Sequence, residues 1–262
     1  MPYADLEHAR LHYEIDGPGD RPVLAFSHSI GASLRMWDGV LPAFDGRFRI
    51  LRYDTRGHGS SGVPHGPYTI AQLGQDVLQL LDALKIERLN FCGLSLGGMI
   101  GMWLGAHAPQ RVEKLVLANT AARIGTRETW NARIAAVQQG GMEQIADAVM
   151  ERWFTARFRQ ELPGTVASAR NVFEATSVEG YTGCAAAIRD ADLEPRLRII
   201  EAPTLILTGA VDPATTAAEG RALARQIRNS SFVELETAHL SAIEDPRGFS
   251  AAVLGFLCGP EA

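Results

Sequence analysis

Apolar runs of strand length recur at residues 23–28, 48–54, 89–95, 114–120, 202–209 and 232–238, each bounded by glycine, proline or polar clusters. Runs without polar alternation suit strands covered on both faces. Between several of them lie stretches of helical period, including 69–86 and 217–229, which place apolar side chains along one side. Strand and helix in alternation predict an α/β architecture, a mainly parallel central sheet with helices on both faces. The opening segments, 3–9 and 11–17, read as an antiparallel pair at the sheet edge.

The alternation breaks between about residues 121 and 200. No strong strand run occurs there, and the segments 128–139, 142–154 and 165–175 look helical. The expected organisation is a core built from residues 1–120 and 201–262, with residues 121–200 inserted as a helical cap over the carboxyl ends of the strands. That edge is where open α/β sheets bind ligands. The tail GPEA is expected to fray.

The segment Gly93-Leu94-Ser95-Leu96-Gly97 lies directly after one apolar run and directly before a helical stretch. A serine on so tight a strand-to-helix turn sits on strained backbone and needs small neighbours, which Gly93, Gly97 and Gly98 provide. The following helix aims its first amides at the serine, so the amide of Leu96 can donate to an oxyanion. Serine is a weak nucleophile until a base takes its proton, and in this context the partners follow in the order serine, acid, histidine.

Downstream of Ser95 the histidines are His107 and His239. His107 falls in the helix that begins at the turn and points away from the serine end, so His239 is the candidate base. Asp212, three residues after the run that ends at Gly209, is the candidate acid. It would accept from the imidazole and fix its tautomer. Pro213 is expected to start the next helix, a placement that also suits an N-cap aspartate. Glu236 and Asp245 are rivals, but both suit solvent-facing positions better.

A second oxyanion donor should come from the loop after the early strand, residues 27–33, and the amide of Ile30 is the choice. His28 in that loop is expected to brace it by hydrogen bonds. The Gly-rich stretch 52–62 lacks the Lys and Ser/Thr of a phosphate-binding loop and reads as a structural turn in which Asp54 and Arg56 pair.

Composition narrows the classes. A formal net charge of -5 gives no basic footprint for nucleic acid, and no run approaches the roughly 18 apolar residues of a membrane span. The three cysteines, Cys92, Cys184 and Cys258, form no Cys-x-x-Cys pair and read as small buried hydrophobes. With no secretory signal visible at the N-terminus, the cytoplasm is the expected compartment. No metal or cofactor is expected. Oligomeric state stays open, a homo-oligomer included.

The segments SHSIG, RYDTRGHGSSG with GPYTI, FCGLSLGGMIG, NTAARIG, RWFT, and DPATT followed by AHLSAIE together resemble the 3-oxoadipate enol-lactonases of the α/β-hydrolase fold. The likeness spans nearly the whole chain. The serine turn and the Asp-x-Arg-Gly turn are shared by many α/β-hydrolases, whereas NTAARIG, RWFT and DPATT are narrower. The resemblance implies Ser95 as nucleophile, Asp212 as acid, His239 as base and the Ile30 and Leu96 amides as oxyanion hole. It further implies a small-molecule lactone and water as substrates, in the catabolism of protocatechuate or catechol. No fused decarboxylase domain is expected. His28 departs from the family pattern, which often has asparagine there. Another α/β-hydrolase activity (carboxylesterase, perhydrolase or C–C bond hydrolase) is the alternative, and a non-catalytic binding homologue a further one.

An enol-lactone with a carboxymethyl arm presents a carboxylate, which needs a cationic partner when buried. The cap offers Arg123, Arg127, Arg133, Arg152, Arg157 and Arg159. Arg133 is the choice, because Trp130 three residues earlier shares its helix face and a ring beside a guanidinium suits a flat anionic substrate. Trp153 could add an apolar wall or simply belong to the core.

Overall fold

The structure, a computed structural model, describes residues 2–259. Of the tail expected to fray, residues 260–262 lie outside the described residues. Eight strands form one sheet: β1 (Tyr3–Asp5), β2 (Arg10–Asp16), β3 (Val23–Ser27), β4 (Arg49–Tyr53), β5 (Leu89–Leu94), β6 (Val112–Ala118), β7 (Thr204–Gly209) and β8 (Ser230–Leu235). Their order is β1-β2-β4-β3-β5-β6-β7-β8. Strand β2, next to the edge strand β1, runs antiparallel to both β1 and β4, and every later pair is parallel. The alternating sequence and the polar first segments predict this arrangement.

Eleven α-helices are present among the described residues. In chain order the first three are α1 (Leu41–Phe44), α2 (Ile70–Ala83) and α3 (Leu96–His107). Five more lie between β6 and β7: α4 (Arg127–Gly140), α5 (Glu143–Trp153), α6 (Ala156–Glu161), α7 (Pro163–Glu174) and α8 (Val178–Asp190). The last three are α9 (Ala217–Gln226), α10 (Ser241–Glu244) and α11 (Pro246–Cys258).

Strand register assigns the helices to faces. Ala25 pairs with Phe91, and Phe26 with Cys92, so Phe26 and Phe91 point to opposite sides of the sheet. Phe91 and Leu115 meet α3 at Gly101, whereas Phe26 packs on Trp37 and Phe44, and Trp37 packs on Phe249 of α11. Thus α3 covers one face and α1 with α11 the other. Helix α2 stacks outside α3, where Gly74 admits the ring of Trp103. This position explains why α3 is apolar all round, while α2 is amphipathic and buries Leu73, Val77, Leu80 and Leu81. Burying each such leucine contributes roughly 1.5–3 kcal/mol.

The structure corrects the sequence expectations at four places. Helix α8 lies beyond the last helical segment expected. Its buried residues are mostly small, Gly180, Gly183, Cys184 and Ala185–187, with only Tyr181 and Ile188 as large apolar members, too few to make an apolar stripe in sequence, and it closely approaches Gly57 and Tyr68. Arg56 pairs with Asp76 at 2.6 Å and not with Asp54, which instead accepts from His12 Nδ1 and the amides of Leu34 and Ser60. Pro213 does not open a helix: α9 starts at Ala217, where Thr216 and Glu219 form a capping box. Cys258, at the end of α11, is exposed, unlike Cys92 and Cys184. Among the described residues no helix is long and apolar enough to cross a membrane.

Candidate active site

Because β3, β5, β6, β7 and β8 are parallel, the segments that leave their carboxyl ends gather at one edge. Ser95 follows β5, Asn119 and Thr120 follow β6, Asp212 follows β7, and His239 follows β8. Residues 28–33 follow β3 beside them, since Ser27 pairs with Gly93.

Ser95 has φ 58° and ψ -112°, the strained conformation expected of a serine on this turn. Its amide donates to Ala118 O at 2.9 Å, and its carbonyl accepts from Thr120 Oγ1 at 2.8 Å and from the Met99 amide at 3.0 Å. Packing explains the glycines. A Cβ on Gly93 would lie 2.1 Å from Gly97 O, one on Gly97 2.1 Å from Ser27 O, and one on Gly98 2.5 Å from Thr120 Cγ2.

Asp212 Oδ2 lies 2.8 Å from His239 Nδ1, and both side chains are buried. The carboxylate is fully engaged. Oδ2 also accepts from Asn119 Nδ2 at 3.0 Å and Thr215 Oγ1 at 2.8 Å, and Oδ1 accepts from the amides of Ala214 and Thr215. Burial alone would push this carboxyl up, but His239, Asn119 and the Thr215 amide hold it down at about 2. An ionised carboxylate only accepts, so Nδ1 of His239 carries a proton, and in the neutral tautomer that this selects the free lone pair is on Nε2. Glu236 is exposed, and Asp245 caps α11 through the Gly248 amide, so neither rival meets the imidazole. His107 sits at the far end of α3, stacked on Trp103.

Sequence reasoning missed the residue that joins these pieces. Asn119, at φ 42°, donates from Nδ2 to Asp212 and to Ala238 O at 3.2 Å, and accepts at Oδ1 from Ser241 Oγ at 2.5 Å. Next to it, Thr120 holds the Ser95 carbonyl. The segment NTAARIG drew notice by resemblance, but its first two residues carry no motif that announces a polar clamp.

In the loop after β3, His28 is a brace as expected: its Nε2 accepts from the Thr55 amide at 2.9 Å and its Nδ1–H donates to Ser29 O at 2.8 Å. His58 does the same one residue past Ile30, accepting from the Gly31 amide at 2.9 Å. Burial lowers the pKa of both rings, that of His58 to about 3, so both stay neutral and keep accepting. Among the described residues, neither the Ile30 amide nor that of Leu96, the first residue of α3, donates to a protein acceptor.

The inserted helices lie against the same edge. Phe173 and Tyr181 abut Gly31, Gly180 abuts Gly57, and the Tyr68 amide donates to Gly183 O at 3.2 Å. A cavity of about 520 Å³ is lined by Trp130, Arg133, Arg152, Pro213 and Ala214 among others, the last two directly following Asp212. The Arg133 guanidinium stands 5.1 Å over the Trp130 ring and 6.0 Å from that of Tyr181. Trp130 is fixed beneath it by an Nε1–H bond of 2.6 Å to Ile124 O. Burial lowers the Arg133 pKa, with Tyr181 opposing and Arg152 adding repulsion. The other arginines differ. Arg123 pairs with Asp192, Arg127 with Asp190 and Arg157 with Glu161, while Arg159 donates to backbone carbonyls. Among the described residues only Arg133 and Arg152 of the six have no protein acceptor.

Trp153 lines a separate cavity of about 360 Å³ with Met36, Val172, Leu240 and Ile243, and packs edge-on against Phe173. It does not share a cavity wall with Arg133. Among the described residues no group of three or more His, Cys, Asp or Glu could hold a metal ion.

Residues 22–246 match the family described as alpha/beta hydrolase fold. The chain is 43% identical to 3-oxoadipate enol-lactonase 2 of Acinetobacter baylyi, covering 93% of this chain and 91% of the relative. It is 36% identical to 3-oxoadipate enol-lactonase 1 of the same organism over 94% and 92%. The crystal structure of the enol-lactonase from Burkholderia xenovorans LB400 superposes with a TM-score of 0.97 at 47% identity, over 98% of this chain and 100% of that one.

Proposed function

The chain belongs to the alpha/beta hydrolase fold family and, within it, to the 3-oxoadipate enol-lactonases, and on that premise we propose that it hydrolyses 3-oxoadipate enol-lactone to 3-oxoadipate through an acyl-enzyme on Ser95. The setting is the cytoplasmic breakdown of protocatechuate or catechol, and residues 121–200 act as the cap that reads the substrate.

His239 Nε2 takes the Ser95 hydroxyl proton as Oγ bonds to the lactone carbonyl carbon. The resulting oxyanion rests on the amides of Ile30 and Leu96, which have no protein acceptor to give up. Collapse breaks the ring C–O bond, and His239 returns the proton to the departing enol oxygen. The enol then tautomerises to the ketone. Water, losing a proton to His239, attacks the acyl carbon and releases carboxylate and Ser95. Asp212 stays ionised throughout and stabilises the imidazolium. An enol leaves easily, so positioning and oxyanion stabilisation carry most of the barrier reduction.

The observation that supports this substrate over a plain ester is the Arg133 guanidinium, unpaired on the wall of a cavity that reaches Asp212's neighbours. A carboxymethyl arm would supply its missing anion. The test offers purified protein the enol-lactone, generated in situ, beside a short p-nitrophenyl ester. Lactone turnover faster by orders of magnitude supports the proposal, and ester preference overturns it.

A further inference from the structure

His239 is tied to the inserted helices on both sides in sequence. The amide of Ala238, immediately before it, donates to Glu244 Oε2 at 2.8 Å. The other oxygen of the same carboxylate accepts from the Thr155 amide at 3.2 Å and from the Thr155 hydroxyl. Immediately after it, the Leu240 amide donates to Trp153 O at 3.0 Å. All of these partners except Glu244 belong to the turn that joins α5 to α6, from Trp153, the last residue of α5, to Thr155, and Glu244 is the last residue of α10.

That turn is well anchored. The Trp153 ring meets Phe173 at 5.6 Å, Phe154 stacks on Phe158 at 5.2 Å, and Thr155 caps α6 through the Phe158 amide. On its inner side the histidine loop is held by Asn119, which takes the Ala238 carbonyl, and Ser241 completes that link. With Ala238 held at both its N–H and its C=O, and Leu240 at its N–H, the backbone on each side of the imidazole has little freedom to swing.

We propose that Glu244 and Thr155 are positioning residues for His239, coupling the inserted helices to the base so that the segment that reads the substrate also sets the base. This rests on His239 being the base. A carboxylate is suited to the place because three donors, two amides and one hydroxyl, converge on it, and an ionised group accepts them all. Glu244→Gln replaces one accepting oxygen by a donating NH₂ facing a donor, so it weakens the clamp without changing its volume. Thr155→Val removes the hydroxyl, and with it both the bond to Glu244 and the α6 cap, whereas Thr155→Ser keeps both.

The experiment measures kcat and KM on the enol-lactone together with the His239 Nδ1–H proton resonance, with folding checked by thermal unfolding. Thr155→Val and Glu244→Gln should lower kcat on the order of 10-fold with KM nearly unchanged, because misplacing a base by a fraction of an ångström costs rate and not ground-state binding. The Nδ1–H resonance should broaden or shift in both. Thr155→Ser should restore kcat and resonance. Reduced thermal stability alone, with wild-type kcat and an unmoved resonance, would overturn the coupling. His239→Ala run alongside separates the two readings: an active His239→Ala enzyme defeats the base assignment, whereas an inactive one beside unaffected Thr155 and Glu244 variants defeats only the coupling.

Discussion

Asp212 accepts the Nδ1–H of His239 at 2.8 Å with the same oxygen that takes the amide of Asn119 and the hydroxyl of Thr215. Three donors on one oxygen fix the carboxylate, and the carboxylate fixes the imidazole tautomer. Asp212→Asn keeps the shape but presents an NH₂ or a neutral oxygen to the ring. kcat should fall by about 10⁴ while the protein stays folded, as for loss of the acid in other serine triads. Steady-state kinetics check this, and a loss under tenfold would remove Asp212 from the mechanism.

The same contacts give a stability term with a definite pH window. The Asp212 pKa is lowered from 3.8 to about 2 in the fold, so the unfolded chain holds the proton more tightly. The contribution is fully present above the unfolded value and is lost as pH falls through about 2, so stability should decline between pH 4 and 2. For a fully buried side chain the size is about 2 kcal/mol. Denaturant titrations across that window should show this slope in the wild type and lack it in Asp212→Asn.

Arg133 lies over Trp130 with no carboxylate of its own among the described residues. If it holds the substrate arm, Arg133→Ala should cost about 2–5 kcal/mol in kcat/KM for the lactone, the range for unpairing a buried charge. Hydrolysis of a neutral ester should barely change. Equal losses on both substrates would mean that Arg133 only holds its helix in place, and Arg152 would become the candidate.

Gly180 of α8 meets Gly57 of the core so closely that a Cβ would fall 2.1 Å from Gly57 O. Alanine in a helix is favoured over glycine by about 1 kcal/mol, but overpacking against unyielding backbone costs about 1–3 kcal/mol. The clash should win. Gly180→Ala should lower Tm by several degrees in a thermal scan, and a raised Tm would show that α8 can lift off the core freely.

The sheet, its edge pair and the three candidate triad positions were legible because each depends on local pattern. Ser95 sits between an apolar run and a helix, and Asp212 and His239 follow two later runs in the required order. What stayed hidden depends on distance in sequence. Asn119 reaches Asp212 across 93 positions and Ser241 across 122, and nothing near any of them encodes the partner. Arg56 illustrates the converse error. Asp54 is the nearest acid in sequence, yet its oxygens are taken by His12 and the amides of Leu34 and Ser60, and Arg56 pairs with Asp76 of α2. Helix α8 is hard to read because its buried face is mostly glycine, cysteine and alanine, and its two large apolar residues, Tyr181 and Ile188, are too few to set a helical period.

The central claim is a covalent acyl-enzyme on Ser95, and trapping it is the most direct test. Enzyme mixed with excess enol-lactone and quenched in acid within the first turnover should carry one substrate-mass adduct, mapped by peptide mass spectrometry to the segment containing Ser95. The Ser95→Ala protein should carry none and should not turn over. Turnover by the wild type with no adduct at any time, or an active Ser95→Ala enzyme, would contradict the account.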